Sequence, residues 1–284
     1  MEMDGFDLDE FLRRALQEDI GDGDHTSLST IPETAQGAAR LLIKDSGILA
    51  GSRIAGRVFE LVDSRLHWLP LLNDGDTVKP GDVALTVTGP ARSITTAERL
   101  ALNIVQRMSG IASRTNHLAS LIAGTGCRLL DTRKTTPGFR FFEKLAVKTG
   151  GGCNHRFGLY DMILVKDNHV DYAGGMEPAL RMVGEYLERT GRKLRVEAEA
   201  RNMEEVEAIL KNGLPFRILL DNFTPDRMCE AVRRINGSME TEASGGITEE
   251  NIRAYAETGV DFISVGALTH HIRSLDMSLK AFTE

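Results

Sequence analysis

LRVEAEARNMEEVEAILKNGLPFRILLDNFTPDRMCEAVRRINGSMETEASGG, residues 194–246, decides the fold. It contains three short runs, LRVEAE (194–199), RILLDN (217–222) and METEASGG (239–246), each ending in polar or charged residues. Between them, 203–210 and 225–235 carry apolar residues at helical spacing. Thr224-Pro225 here, and Thr248-Glu249-Glu250 further on, supply an N-cap and an acidic first turn. Apolar strands separated by helices predict a parallel sheet covered on its outer side.

The pattern continues outward in both directions. CRLLD (127–131), MILVK (162–166) and DFISVGA (261–267) read as further strands, and 141–147, 177–187 and 249–255 as further helices. About six such units predict an α/β barrel, open rather than complete. Each strand brings a polar residue to its C-terminal end, where barrel enzymes build their sites. Ser244-Gly245-Gly246 and Val265-Gly266-Ala267 follow the last two strands, the usual place for a phosphate group.

The first hundred residues read differently. An amphipathic helix at 8–17 precedes short strands broken by turn signals such as Asp74-Gly75 and Pro80-Gly81. This predicts a separate α+β domain over 1–108 and a barrel domain over 109–270, with a helix at 95–122 bridging them. The tail, 271–284, has helical spacing and is expected to pack back on a domain.

A chain of 284 residues with 42% hydrophobic content buries a substantial core. No run approaches the roughly 20 apolar residues of a membrane helix, and the acidic start MEMDGFDLDE is unlike a signal peptide, so the expected address is cytoplasmic. Cys127, Cys153 and Cys229 form no CxxC pair, which argues against both a disulfide framework and a zinc site. A net charge of −7 excludes a broad nucleic-acid or anionic-membrane surface.

The charge reverses locally. Between Asp131 and His169 seven cations (Arg133, Lys134, Arg140, Lys144, Lys148, Arg156, Lys166) face four acids, and the glycines are dense. Cations and freed backbone N–H groups suit a small, highly anionic ligand. Arg133, Lys134, Arg156 and Lys166 lie on strand-end loops that converge at a barrel mouth and are the leading binders. Arg140, Lys144 and Lys148 recur at i, i+4, i+8 and read as one solvated helix face.

His155 beside Arg156, and His169 in KDNH, are candidates balanced against structural roles, whereas His25, His67 and His117 have no comparable context. Glu199 and Asp221 close successive strands, where they would hold Mg²⁺ through its water or bind ribose hydroxyls; for Asp221 a simple turn role is the alternative. Alternation puts Glu197 on the same side as Glu199, and two inward acids on one strand favour function. There is no P-loop and no GxGxxG after a strand, which excludes the usual ATP and dinucleotide sites. DIGDGDHTS fails the EF-hand spacing.

DTRKTTPG (131–138), GGGCNHRFGLYD (150–161), KDNH (166–169), LLDN (219–222), EASGGIT (242–248) and YAETGVDFISVGALTH (255–270) together resemble the quinolinate phosphoribosyltransferase family. The likeness runs in order over the chain and includes EDIGDGDHTS and TAERLALN (96–103). It implies an open α/β barrel with an N-terminal α+β sandwich-like domain. It also implies transfer of phosphoribose from phosphoribosyl pyrophosphate to quinolinate, with loss of pyrophosphate and CO₂ and formation of nicotinate mononucleotide, assisted by Mg²⁺. The implied assembly is a homodimer with a shared active site, open to higher assembly.

By the same resemblance Arg133, His155, Arg156 and Lys166, with Thr132 beside them, form the quinolinate pocket, and Arg99 comes from the partner subunit. Lys134, Glu199 and Asp221 act on the reacting centre, the two acids also as direct or indirect Mg²⁺ ligands. Ser244, Gly245, Gly246, Val265, Gly266 and Ala267 hold the 5′-phosphate. Two rivals stand beside this: a Schiff-base barrel lyase using Lys166, and a non-catalytic phosphometabolite-binding barrel. The molybdenum-transport-associated homologues depart from NHR and KDNH, both of which this chain has.

Overall fold

The computed structural model describes residues 5–282; the first four residues of the acidic N-terminus and the last two of the tail lie outside the described residues. In chain order the elements begin α1 (Leu8–Ile20), α2 (His25–Thr30), β1 (Gln36–Ile43), β2 (Gly47–Ile48), α3 (Ser52–Val62), β3 (His67–Pro70), β4 (Thr77–Val78), β5 (Val83–Pro90) and α4 (Ala91–Leu121). They continue β6 (Arg128–Leu130), α5 (Arg140–Thr149), β7 (Ile163–Val165), α6 (Asp167–Ala173), α7 (Met176–Thr190), β8 (Val196–Ala200) and α8 (Met203–Asn212). The last are β9 (Arg217–Asp221), α9 (Pro225–Ile235), β10 (Glu240–Ser244), α10 (Ile252–Ala256), β11 (Phe262–Ser264), α11 (Ala267–His270) and β12 (Met277–Phe282). The chain forms two compact units, one running to Asn116 and including Thr135–Gly151 and the chain from Leu268, the other made of His117–Lys134 and Gly152–Ala267.

The first unit is built on a four-stranded antiparallel sheet in the order β12-β1-β5-β3, with β2 and β4 paired separately. Its edge strand overturns the helical reading of the tail. MSLKAF alternates, with Met277 and Leu279 buried and Lys280 exposed, and pairs with β1 from Ile43↔Met277 to Ala38↔Phe282. A period of two suits a half-buried strand, and the partner strand settled what a short apolar run left ambiguous.

Segment 135–151 also belongs to this unit, although it interrupts the barrel strands in sequence. Phe141 and Phe142 of α5 are buried against Phe6, Phe11 and Phe139, with Phe6 stacked 4.3 Å from Phe141 and Phe139 4.4 Å from Phe142. The same packing corrects the reading of α5 as presenting a solvated basic face. Lys144 is fully buried and Arg140 is half-buried, donating to Thr135 Oγ1, so Lys148 alone of the three is exposed. The fully buried Glu143 receives the Nε and Nη2 groups of Arg107 at 3.0 and 2.6 Å.

The second unit is the α/β body. Its six strands are all parallel, in the order β6-β11-β10-β9-β8-β7. The edge strands β6 and β7 do not pair with each other, and one bridge, Leu130↔Cys153, continues the sheet past β6, so the barrel is open as the sequence implied. Register sorts the inward residues into rungs, because alternate residues face one side. Leu164, Glu197, Arg217 and Glu240 lie level. Glu199, Leu219, Glu242 and Phe262 form the next rung, and Asp221 and Ser244 the one nearest the C-terminal mouth. The helix starts are locally encoded: Asn202 caps α8 through Glu205 N, and Thr224 caps α9 ahead of Pro225.

Truncation before Met277 removes the pairing of β1 on one side and bares its apolar residues. The truncated chain is expected to melt lower and to self-associate, read by calorimetry and light scattering; a full-length melting profile would contradict the role given to β12.

Candidate active site

Strand ends and the loops after them build one cavity of about 330 Å³ in the second unit, lined among others by Thr132, Arg133, Lys134, His155, Arg156 and Lys166. Leu164, Leu219, Glu242, Ser244 and Ser264 complete its wall. The loops after β6 and β7 and the turn between them thus converge as their sequence positions suggested. Arg99 is exposed on α4, in the first unit, and is not among the lining residues.

The cationic side is organised around backbone. Asp131, fully buried, accepts from His155 N at 2.8 Å and from Asn154 Nδ2. Asp161 closes the next turn by accepting from Phe157 N and Gly158 N. Arg156 Nη1 donates to Met162 O at 3.0 Å, while its Nε is buried without a partner. Burial first, and then the positive charge of Arg133, lower the pKa of Arg156. Two guanidinium groups held close enough to repel define a place for an anion. Thr132 Oγ1 accepts from Lys134 N at 3.0 Å and shapes the loop that carries both basic residues.

The acidic side lies on neighbouring strands. Lys166 Nζ sits 2.7 Å from Glu199 Oε2, and Glu199 is almost fully buried. Asp221 accepts from Asn222 Nδ2 at 2.6 Å. Burial first, then the charge of Glu199, raises its pKa, with Lys166 opposing. His169 is engaged elsewhere: its Nδ1 accepts from Lys166 N at 2.9 Å and closes the first turn of α6.

Below the mouth lies a buried charge cluster of which the sequence singles out only His155 and Glu197. His155 Nε2 is 3.0 Å from Glu197 Oε2 and 3.5 Å from Glu242 Oε2. Arg217 Nη1 reaches Glu242 at 3.2 Å and Glu197 at 3.7 Å, and its Nη2 donates to Glu240 at 2.7 Å. Burial raises the Glu197 pKa to about 7, helped by repulsion from Glu242. Glu242 stays below its ordinary value, because His155 and Arg217 outweigh burial.

For the imidazole two demands conflict. Burial opposes its charge but the two carboxylates outweigh it, pushing the pKa up to about 9, whereas Nδ1 accepts the Arg156 amide at 2.8 Å. That N–H···N bond leaves Nδ1 no room for a proton, so the geometry favours a neutral ring protonated on Nε2. An Nε2–H facing two carboxylates is a donor and not a metal ligand, and Arg217 lies within ion-pair reach of both acids; with the cation already there, the three side chains do not suit an ion. Glu242 and Arg217 were legible in principle, since Glu240 and Glu242 in METEASGG, and Arg217 in RILLD, share parity with residues expected inside.

The phosphate candidates occupy strained loops. Gly245 and Gly246 have φ of 92° and 60°, and Asn222 a φ of 56°. A Cβ on Gly245 would meet Asn222 Oδ1 at 2.2 Å and its backbone N at 2.9 Å. Asn222 N donates to Ser244 O, tying the ends of β9 and β10 together. The Val265 amide donates to Leu130 O at 3.0 Å, which removes it as a phosphate donor. Gly266 and Ala267 follow at the start of α11.

Comparison with known proteins covers both units. Residues 111–280 match the quinolinate phosphoribosyl transferase C-terminal domain and 24–109 its N-terminal domain. The chain is 44% identical, over 98% of its length and 83% of the relative's, to the Nicotiana tabacum protein named quinolinate phosphoribosyltransferase [decarboxylating] 2b, mitochondrial. Among solved structures it is similar to the nicotinate-nucleotide pyrophosphorylase from Francisella tularensis, with a TM-score of 0.91 and 38% identity over 97% of this chain and 96% of that one. NadC from Streptococcus pyogenes matches with a TM-score of 0.92 and 34% identity, covering 100% of both chains.

Arg217→Met strands two buried acids and is expected to cost about 3–5 kcal/mol in urea unfolding. Adding Glu242→Gln should return part of that loss; a double variant no more stable than Arg217→Met would mean the loss is one of packing.

Proposed function

Because the chain belongs to the quinolinate phosphoribosyltransferase family, we propose that this cavity joins quinolinate to the ribose of phosphoribosyl pyrophosphate, releasing pyrophosphate and CO₂ and forming nicotinate mononucleotide. The observation that carries this reading is the meeting, in one cavity, of four basic residues from three segments of chain with Glu242 and Ser244 from β10, beside the Glu199–Lys166 pair. Quinolinate is a dianion and phosphoribosyl pyrophosphate is more highly charged, so both ends of the reaction need fixed cations and backbone donors.

Arg133, Arg156 and Lys166 bind the ring carboxylates, with Thr132 shaping the loop and Arg99 of the partner subunit closing the pocket in a homodimer. Ser244, Gly245, Gly246, Gly266 and Ala267 receive the 5′-phosphate. The pyridine nitrogen carries its own lone pair, so attack on the anomeric carbon needs no protein base. Glu199 and Asp221 hold the ribose hydroxyls and favour the positive charge that develops on the sugar. Lys134 faces the departing pyrophosphate.

The pair Glu199 and Asp221 also fits a hard divalent cation: burial and its acidic neighbour raise the Asp221 pKa, so a cation beside the two carboxylates, which Lys166 meets only through Glu199, would be favoured. Mg²⁺ held there, directly or through water, would offset charge on the leaving pyrophosphate. Among the described residues no helix is long and apolar enough to cross a membrane. A cytoplasmic address is part of this proposal, although the tobacco relative's name carries the word mitochondrial.

The 2.7 Å ion pair with Glu199 suits Lys166 as a held cation more than as the neutral amine a Schiff base requires. Release of CO₂ and pyrophosphate from quinolinate should require both phosphoribosyl pyrophosphate and Mg²⁺; ligand binding without turnover, or borohydride trapping of substrate on Lys166, would replace this reading. Arg133→Ala and Arg156→Ala are each expected to weaken quinolinate binding by about 2–5 kcal/mol. Mixing Arg99→Ala with Arg133→Ala subunits should restore activity through hybrid dimers, and verified exchange without rescue counts against a shared site.

A further inference from the structure

Both ring nitrogens of His155 are engaged within the protein. Nδ1 accepts the amide of Arg156 at 2.8 Å, and Nε2 faces Glu197 at 3.0 Å and Glu242 at 3.5 Å. The side chain is only 7% exposed, and the residue's own amide donates to the buried Asp131. The imidazole therefore spans from the carboxylates beneath the cavity to the main chain of Arg156. The guanidinium of Arg156 has few other restraints, since Nη1 meets Met162 O and Nε is buried without a partner. Where its guanidinium points follows from where its backbone is held.

We propose that His155 is a positioning residue whose Nδ1 holds the Arg156 amide and so aims the Arg156 guanidinium, a strut whose far edge only rests against the Glu197 and Glu242 carboxylates, and that it is not itself a ligand of quinolinate. The inference rests on the reading of Arg156 as a partner of the ring carboxylates. A group one bond removed from the substrate acts by geometry, and a displacement of about 1 Å is enough to cost up to 100-fold. An asparagine at this position carries an amide oxygen close to where Nδ1 sits and can accept the same N–H.

The test is steady-state kinetics with quinolinate varied at saturating phosphoribosyl pyrophosphate and Mg²⁺. The variants are His155→Ala, His155→Asn, Arg156→Ala and the double variant His155→Ala/Arg156→Ala, each checked for a native melting transition. His155→Ala should raise the quinolinate KM about 10-fold with kcat within about 2-fold, and His155→Asn should recover most of that loss. In the Arg156→Ala background His155→Ala should add less than about 2-fold, because residues acting through one another are not additive.

Equal factors in both backgrounds would show His155 contacting quinolinate itself and overturn the strut. Should His155→Ala not fold, His155→Asn decides alone: a near-normal KM supports the strut, and a KM raised 10-fold or more overturns it. An Arg156→Ala variant with unchanged quinolinate KM would instead remove the underlying role of Arg156, an outcome distinct from additivity.

Discussion

The barrel interior depends on Arg217. Its guanidinium faces Glu242, Glu197 and Glu240, and lies 4.3 Å from the Phe262 ring. Two carboxylates this deeply buried cost several kcal/mol each in lost hydration, and only a matched cation with good geometry offsets that. Parallel register makes the match: Glu197, Arg217 and Glu240 are level across β8, β9 and β10, so one long side chain reaches all of them. The mouth groups stand one or two rungs above this pair of charges and inherit its placement.

That arrangement separates two electrical environments by strand register alone. Below, one arginine lies among the carboxylates of Glu197, Glu242 and the half-exposed Glu240. Above, Arg133 and Arg156 repel one another at the cavity wall while Glu199 and Asp221 do the same at the neighbouring ends of β8 and β9, so most of the like charges are grouped instead of pairing off. Lys166 links the sides by ion-pairing with Glu199. Keeping like charges together costs stability, and a reaction that binds dianions while passing through a cationic sugar repays the cost at both ends.

Much of this was legible in the sequence because it is encoded locally. The helix expected at 225–235 is α9 to the residue, since a Thr-Pro start and a periodic apolar face lie within it. Strand ends placed the loop cations and the acid pair without knowledge of pairing. What was not legible depends on partners distant in sequence. The tail became a strand because β1 offered an edge. Lys144 was buried because two phenylalanines of its helix joined an aromatic cluster with α1 and its flanks. Glu197 looked functional for want of a partner; parity puts Arg217 on the inward face, but that it lies level with Glu197, and that His155 reaches the same carboxylate, depends on strand register and a distant turn.

The loop after β10 shows the same dependence at a functional edge. Gly245 and Asn222 both sit at positive φ, and each excludes a side chain or conformer at the other: Asn222 fills the space a Cβ on Gly245 would need, while Asn222 N holds Ser244 O. A left-handed backbone is open to glycine and tolerated by asparagine, so the corner is encoded by residue types that adopt it at little cost. Here β9 and β10 are tied together from below by the ion pairs of Arg217 with Glu240 and Glu242. The buried charges and the tight loop thus act on the same two strands: the first holds β9 and β10 level, and the second joins their ends in a conformation open to few residue types.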